Sequence, residues 1–412
     1  MPRVVVVGAG AAGTMAAIFA ASAGAETLLL ERTKDGGRKI LISGGGRCNI
    51  LPARIDESDE SRFVTGSSPH ILRKLLRSWP LHEQIAFFER DAGLPLIEET
   101  PTAKLFPASQ SARDVRDRLL ALARRTGVTV LMNTMVTGFA PSGSGWRIDR
   151  RENDALHADA VIVATGGLSV PNTGSDGAGL GVVQQLGHSV RPTYPALTPL
   201  TAKPAPFATL AGISLPVTLT ARGGEMMATA TGSFLFTHAG YSGPAVLDVS
   251  HIAVRSRVHF GSPARIVVRW TPLGERDWEL ALRPRGSRTV LGALSAELPN
   301  RLADALLEIA DVAPRRVLSN LTRDERLRVI ETLVRGVLPW TGDEGYKKAE
   351  VTGGGVCLSE IDPKTLESRK HKGLFLCGEM LDAFGPIGGY NFFWAWATGR
   401  AAGRGAAQVS PR

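Results

Sequence analysis

The sequence predicts an α/β fold in which a parallel, doubly wound, Rossmann-like sheet is built from both ends of the chain and interrupted by a β-rich insertion. Three observations predict it. An apolar run, Val4 to Val7, leads straight into the glycine spacing Gly8-x-Gly10-x-x-Gly13. A second apolar run, Thr27 to Leu30, ends on a carboxylate, Glu31. After a proline-punctuated middle, the strand-and-glycine patterning of the opening segment resumes at Lys347 and continues to the end.

In chain order, residues 3–31 read as one βαβ unit: a buried strand, a glycine turn, an Ala-rich helix to about Ala23, a Gly24-Ala25 turn and a second strand. Residues 33–52 are Gly-rich and loop-like, and a charge-punctuated helical region follows to about Gly93. Ala112 to Arg125 is an amphipathic helix, followed by strands at Thr129 to Leu131, around Val136, and at Trp146 to Asp149. Ala160 to Ala164 is apolar throughout, as a central parallel strand requires. Composition shifts at Arg191 to Pro195, with further prolines at Pro199, Pro204 and Pro206, which marks a boundary. From 195 to 285 the pattern is short-period and β-rich, with strands around Val217 to Ala221, Ser233 to Phe236 and Arg265 to Trp270. Helical segments follow at Leu291 to Leu298, Leu302 to Ala310 and Asp324 to Leu333.

Composition limits the function classes. At 412 residues the chain exceeds the size at which one core stops growing, so two or three units are expected. Hydrophobic residues are 43% and charged residues 21%, and no apolar stretch approaches the ~18 residues of a membrane helix. A soluble protein with no membrane partner is expected. Val4 to Val7 is too short for the apolar core of a signal peptide, and cleavage would destroy the glycine turn, so a cytoplasmic location is expected. Cys48, Cys357 and Cys377 lie far apart without a Cys-x-x-Cys pair, which argues against a disulfide framework, a zinc site and a redox dithiol. No metal site is expected.

A net charge of +9 with a pI near 9.8 fits a polyanionic partner such as RNA. Three features weigh against it. Ten basic residues are Lys and 38 are Arg, a bias that codon usage alone produces, and aromatics are only 6%. The basic clusters (Arg113, Arg116 and Arg118; Arg283, Arg285 and Arg288; Arg315 and Arg316; Lys370 and Lys372) are also dispersed.

The chemistry-bearing motif is the glycine turn. Gly8 permits the tight turn, Gly10 lets backbone approach a pyrophosphate and Gly13 lets helix and strand pack closely; Ala11 and Ala12 open a helix whose N-terminus carries partial positive charge. Glu31, 23 residues past Gly8, suits the adenosine ribose hydroxyls, with Arg32 beside it. This motif alone means a dinucleotide, FAD or NAD. Two further segments favour FAD. Val161 to Val163 ends in Ala164, Thr165 and Gly166, small residues that let the chain pass close to a cofactor. Gly373 to Cys377 closes on Gly378 and Glu379, with Asp382 following, where a carboxylate suits a ribityl hydroxyl. Gly388, Gly389, Tyr390 and Asn391 then open a final helix through Ala401, whose dipole would stabilise negative charge on a reduced flavin.

The block Gly37 to Asn49, with Ser43-Gly44-Gly45-Gly46-Arg47-Cys48-Asn49 at its centre, resembles the signature of the bacterial BaiN-like, aminoacetone-oxidase-like flavoproteins. So do Phe236-Thr237-His238 with Gly240, Ser242, Gly243 and Pro244, the segment Val351 to Val356, and the closing Gly378-Glu379-x-x-Asp382 with Gly388 to Asn391 and Gly399. The resemblance spans nearly the whole chain. It implies an FAD domain of two-dinucleotide-binding type (1–192 and 346–412), an inserted β-barrel-like domain (193–290) and a small helical domain (291–345). It further implies that Arg38, Lys39, Ser43, Gly45, Arg47, Cys48 and Asn49 lie along FAD and that backbone at Val136 meets the adenine. Phe384 to Ile387 and the aromatic run Phe392 to Trp394 resemble a less-studied branch, so a substrate does not transfer with the family. Independently, three consecutive glycines, Gly44 to Gly46, suggest backbone close to something flat or anionic, which Arg47 would pair with.

No acid-base array stands out. Cys48 is a weak catalytic candidate, as a proton donor or thiolate near the flavin, against a packing role. His238 and Tyr241 face either the substrate or their own turn. The expected activity is an FAD-dependent oxidoreductase, with NAD(P)H as a transient donor because no second complete glycine fingerprint is present. Its substrate is a small molecule (an amine oxidised with oxygen, or an enone) or a uridine in ribosomal RNA; a flavin-binding protein without turnover is the remaining alternative.

Overall fold

The computed structural model describes residues 1–56, 60–259 and 262–411. They form two compact units, Met1–Pro195 with Glu350–Arg412, and Ala196–Ala349.

The first unit is organised by a five-stranded parallel sheet in the order Leu374–Leu376, Ala160–Val163, Arg3–Val7, Glu26–Leu30, Thr129–Leu131. Its central strand is the valine run. Val4 to Val7 are buried between Ala160 to Val163 on one side and Thr27 to Leu30 on the other. Burying each such side chain is worth about 1.5–3 kcal/mol, which fixes the sheet's centre. The helix Ala11–Ser22 follows the first strand, and Ala112–Arg125 starts where Ser111 accepts the Asp114 N–H and buries Val115, Leu119 and Leu122. The last helix, Tyr390–Ala406, packs on Ala11–Ser22 unusually closely. A Cβ on Gly399 would lie 2.4 Å from the Ala12 carbonyl oxygen, and one on Gly403 would lie 2.2 Å from that of Ala16. Two three-stranded antiparallel sheets and the pair Val190–Ala196 with Val351–Val356 complete the unit.

The segment 33–52, expected as loop, contains a short helix, Arg38–Ile42, and a tight turn at Ser43–Gly46. Ile40 is its one inward anchor, a pattern too short for periodicity to reveal.

The second unit is a seven-stranded antiparallel sheet with helices packed on it. Ser214–Gly223 and Met226–Phe236 alternate strictly, with Leu215, Val217, Leu219 and Ala221 inward and cross-strand hydroxyl pairs such as Thr218 with Thr231 outward. The two edge strands, Gly336–Val337 and Gly342–Asp343, are joined by only residues 338–341. So short a link holds the edges near one another and curls the sheet toward a barrel.

Two features differ from the sequence reading. The β-rich stretch contains a 16-residue helix, Pro244–His259, rich in β-branched residues and buried along several faces, so that it lacks the one-sided pattern of a surface helix. The segment 291–345, set apart as a small helical domain, shares one apolar core with the sheet: Leu294, Leu302, Leu306 and Leu333 cluster with Leu219, Phe234, Val268 and Trp270. Its amphipathic helices are too few to enclose a core of their own.

Candidate functional site

The parallel strands of the first unit end together, and the glycine turn lies at those ends. Gly8 has φ +104°, and a Cβ there would lie 2.6 Å from the Ala164 carbonyl oxygen; one on Gly13 would lie 1.8 Å from the Gly8 carbonyl oxygen. Only glycine fits at either position. By contrast nothing lies within 4 Å of a Cβ on Gly10, Gly45 or Gly46, so these three face open space. Ala11 and Ala12 begin a helix with no side-chain cap and no acidic residue in its first turn, leaving its first N–H groups available to an anion.

Glu31 is oriented by backbone. Its two oxygens accept from the N–H groups of Ala9 and Thr33, both at 2.8 Å, and each keeps a lone pair for a hydroxyl donor. Asn133 N donates to the Thr33 carbonyl and Thr134 N to that of Glu31, which brings the chain leading into Val136 alongside Glu31. Arg32 pairs with Asp176 at 2.7 Å, and Arg38 with Asp35 at 2.9 Å. Thr165 Oγ1 is buried with no hydrogen-bond partner among the described residues, and Gly166 has φ +74°.

The most connected cluster joins four separate segments. Lys39 Nζ lies 2.5 Å from Glu379 and donates to Ser169 Oγ at 2.6 Å. Glu379 also accepts from Ser169 Oγ (2.5 Å), Thr352 Oγ1 (2.9 Å) and Thr352 N (3.0 Å). Lys39 and Glu379 were read separately from the sequence; Ser169 and Thr352 were missed as site residues. Thr352 lies in the quoted run Val351 to Val356, but a lone hydroxyl among glycines carries no sequence signal of its own.

The glycine block and the closing segment also meet. Asn49, with its amide turned to satisfy both neighbours, accepts from Gly389 N at 2.9 Å and donates to the Leu51 carbonyl at 3.1 Å. Gly389 has φ +94°, and a Cβ there would lie 2.4 Å from the Leu51 carbonyl carbon. Gly378 donates to Thr398 Oγ1, and its carbonyl accepts from Trp394 Nε1. Gly389 precedes a second helix N-terminus without side-chain cap or acidic first turn.

Other expected site residues are engaged elsewhere. The Arg47 guanidinium donates to Glu99 (2.9 Å) and Gln110 (3.2 Å) and lies 4.2 Å from the Phe106 ring centroid, so its charge is spent within the protein. Hydrogen bonds from Thr102 and Arg47 hold the Glu99 carboxyl below its usual range. Cys48 is fully buried, and burial pushes its thiol up to about 12; a thiolate at neutral pH is disfavoured and the side chain packs as a small apolar group. Ser43 donates to the Ile40 carbonyl. Asp382 is buried and takes hydrogen bonds from Gly66 N, Ser67 Oγ and Thr65 Oγ1, with Arg191 Nε at 3.0 Å. Burial nevertheless pushes its carboxyl above the usual range. Tyr390 faces Phe63 and Arg62, and Asn391 ties its own loop through both Gly385 backbone groups. In the second unit His238 is exposed, whereas Tyr241 is buried against Phe234 and Phe236, with no partner for its hydroxyl among the described residues. Burial raises the Tyr241 pKa.

Three features suit a dinucleotide: the open faces of Gly10, Gly45 and Gly46, the two uncapped helix N-termini, and the Glu31 carboxylate at the adjacent strand end. Among the described residues no group of three or more His, Cys, Asp or Glu is placed to hold a metal, and no helix is long and apolar enough to cross a membrane.

The model of the HI0933-like protein Rossmann domain matches residues 2–405. The chain is 33% identical to the 3-dehydro-bile acid delta(4,6)-reductase of Clostridium scindens, over 99% of this chain and 100% of that protein. It is 32% identical to the ribosomal RNA dihydrouridine synthase of Escherichia coli, over 96% of this chain and 95% of that protein. Among solved structures, its fold resembles the 3-ketosteroid-delta4-(5alpha)-dehydrogenase of Rhodococcus jostii, with TM-score 0.53, 17% identity and coverage of 99% and 97% of the two chains. It also resembles the 3-ketosteroid delta1-dehydrogenase of Sterolibacterium denitrificans, with TM-score 0.54, 13% identity and full coverage of both.

Proposed function

The chain belongs to the HI0933-like Rossmann-domain family and is an FAD-dependent oxidoreductase; from that premise we propose that it uses NAD(P)H to reduce a carbon–carbon double bond conjugated to a carbonyl. Overall, NAD(P)H and one proton are consumed, the double bond gains two hydrogens and NAD(P)+ is released. FAD, when bound, carries the electron pair between the two partners. The acceptor class follows from chemistry that the names of both relatives share: a delta(4,6) ring system beside a 3-oxo group, and the uracil C5=C6 bond beside its C4 carbonyl.

The observation that carries the reading is the contact of Lys39 with Glu379, one residue past Gly378, whose Cβ position lies 2.8 Å from Ala12 at the start of the uncapped helix that follows the Gly8 turn. In this reading, the first-turn N–H groups of Ala11–Ser22 bind the pyrophosphate, and Glu31 accepts from the ribose hydroxyls. Gly45 and Gly46 give backbone access to the ring system, and Val136 lies toward the adenine. The uncapped N-terminus of Tyr390–Ala406 would supply partial positive charge to a bound ring system, while Lys39 holds Glu379 in place. The cysteines supply no alternative acceptor. Cys48, Cys357 and Cys377 are free thiols, already reduced, and no disulfide joins them to take the electron pair.

The test is anaerobic mixing of the yellow holoprotein with NADH and NADPH, then with an enone. Bleaching by a nicotinamide followed by recovery of colour on adding the enone is expected. Flavin that stays oxidised with both nucleotides, or that reoxidises only with oxygen, would overturn the reading.

A further inference from the structure

The segment 69–77 reads Pro-His-Ile-Leu-Arg-Lys-Leu-Leu-Arg. Its leucines recur at helical spacing, and the helix Pro69–Leu76 buries Leu72, Leu75 and Leu76 in the core of the first unit. His70, Arg73, Lys74 and Arg77 are all exposed and together line a cavity of about 360 Å³. That volume suits a small organic ligand. Like charges three and four residues apart oppose helix formation, and no acid within 69–77 relieves them. The dipole of a helix C-terminus accounts for cations in the last turn, but not for His70 in the first. A codon bias toward arginine explains neither His70 nor Lys74.

The cavity is partly pre-set. Glu60 takes Arg77 as a fork, Nε at 2.6 Å and Nη2 at 3.1 Å, which fixes the plane of the guanidinium. Arg73 Nε donates to the Pro69 carbonyl at 3.4 Å, which lays that side chain along the helix. The Lys74 charge also acts on Asp362, but that carboxylate is taken up by the N–H groups of Lys364 (2.7 Å) and Thr365 (3.2 Å) in its own turn. Three permanent cations against two carboxylates leave the cavity net positive. Guanidinium groups match phosphate oxygens in bidentate fashion and stack on flat aromatic rings, and an ammonium binds phosphate as a point charge. The combination suits a phosphate carried by a nucleoside.

The helix also starts where the closing segment is gripped. Ser67 Oγ donates to Asp382 and accepts from Leu358 N, both at 3.1 Å, and Gly66 N donates to Asp382 at 3.0 Å. Pro69 opens the helix two residues later, and the helix packs on Tyr390–Ala406. At 1.5 Å per residue the basic residues extend about 12 Å from that grip, within the span of an extended dinucleotide.

We propose that His70, Arg73, Lys74 and Arg77 form a binding site for a phosphomonoester on a nucleoside, the adenosine 2′-phosphate of NADPH, and so make NADPH rather than NADH the electron donor. The site stands on the cavity and its cations; only the identity of the donor rests on the reductase reading.

The FAD-loaded full chain is titrated calorimetrically with adenosine 2′,5′-bisphosphate, with 5′-AMP and with inorganic phosphate. The bisphosphate should bind at least about 10-fold more tightly than either, the worth of one charge-assisted hydrogen bond. Arg73→Gln/Lys74→Gln should remove that advantage. Arg124→Gln/Arg125→Gln, which takes two cations from the last turn of another helix, should keep it. Inorganic phosphate that binds as tightly as the bisphosphate, or an equal loss in the Arg124/Arg125 control, overturns the proposal. Anaerobic stopped-flow reads the donor separately. Flavin bleaching in the wild type should saturate at NADPH concentrations at least about 10-fold below those of NADH, and the gap should close in Arg73→Gln/Lys74→Gln. Equal saturation by the two nucleotides in the wild type overturns the assignment to NADPH. Bisphosphate binding that depends on these cations, in a protein whose flavin neither nucleotide reduces, supports the site and fails the reductase reading alone.

Discussion

Thr352 shows how one side chain holds a site together. Its hydroxyl donates to Glu379 at 2.9 Å and accepts from the N–H groups of Leu168 (2.7 Å) and Ser169 (3.0 Å), so its donor and both acceptor positions are used inside the protein. A Cβ on Gly167 would lie 2.3 Å from that oxygen, which shows how tightly the strand end wraps around it. Thr352→Val keeps the volume but leaves two buried N–H donors unpaired, at about 1–3 kcal/mol each. The variant should lose about 2–6 kcal/mol in urea unfolding and retain FAD poorly, while Thr352→Ser should stay near wild type. Equal stability of the valine and serine variants would show that the hydroxyl carries no such burden. Residue identities at this scale were partly legible. Glu31, Lys39 and Glu379 announce themselves as charges beside glycine turns. Arg47 misled because a basic residue next to three glycines resembles a phosphate ligand, and only the fold reveals Glu99, Gln110 and Phe106 around it.

Elements were legible in proportion to the regularity of their patterns. The amphipathic helix Ala112–Arg125 and the parallel strands were readable from periodicity, whereas Pro244–His259, buried along several faces, offered no contrast to read. The packing of Ala11–Ser22 against Tyr390–Ala406 depends on Gly399 and Gly403, whose Cβ positions are filled by the other helix's backbone. Gly403→Ala should push the helices apart at a cost of about 1–3 kcal/mol. Because these helices begin at Ala11 and Tyr390, FAD affinity should fall along with the melting temperature; unchanged affinity would show that the cradle does not depend on the spacing.

A second element, the segment 358–371, is latched by charge. His188 Nδ1 lies 3.0 Å from Glu360 and its Nε2 lies 2.9 Å from Ser368, while Lys370 and Ser189 also bond Glu360. Burial opposes ionisation of Glu360, but the bonds from Lys370, Ser189 and His188 outweigh it and bring its pKa to about 2 from 4.5. Burial likewise lowers the His188 pKa below 6.5. Both folded-state values are depressed, so both groups contribute stability that is complete above about pH 6.5 and is lost as pH falls, the carboxylate's share between about 4.5 and 2. Amide exchange in 360–371 should therefore accelerate on acidification. Glu360→Gln should exchange fast already at neutral pH and lose the acid-dependent part below about pH 4.5; a variant with the wild-type profile would sink the latch.

For the whole molecule, the two compact units have separate apolar cores. The candidate cofactor residues of the cradle all lie in Met1–Pro195 with Glu350–Arg412. FAD at 100 times its dissociation constant should stabilise that unit by about 2.7 kcal/mol and leave the other unit's intrinsic stability unchanged. Calorimetry with and without added FAD should then show one transition that moves and one that does not. Two transitions that move equally would mean that the units unfold as one. The Rossmann-like class was visible in the opening residues, and the insertion in a shift of composition. That the helices of 291–345 join the insertion's core was not, because the partners they bury against, such as Leu219 for Leu333, lie in strands far earlier in the chain.

The strand Leu374–Leu376 pairs with Ala160–Val163, although the whole of Ala196–Ala349 is made between them. During synthesis, then, four strands of the parallel sheet exist with one edge bare while the ribosome builds the insertion. The edge is covered, and Glu379 reaches Lys39, only once the final segment emerges. A message truncated after the insertion should therefore yield a product whose Ala160–Val163 edge stays bare, a target for chaperones and proteases rather than a partly active enzyme.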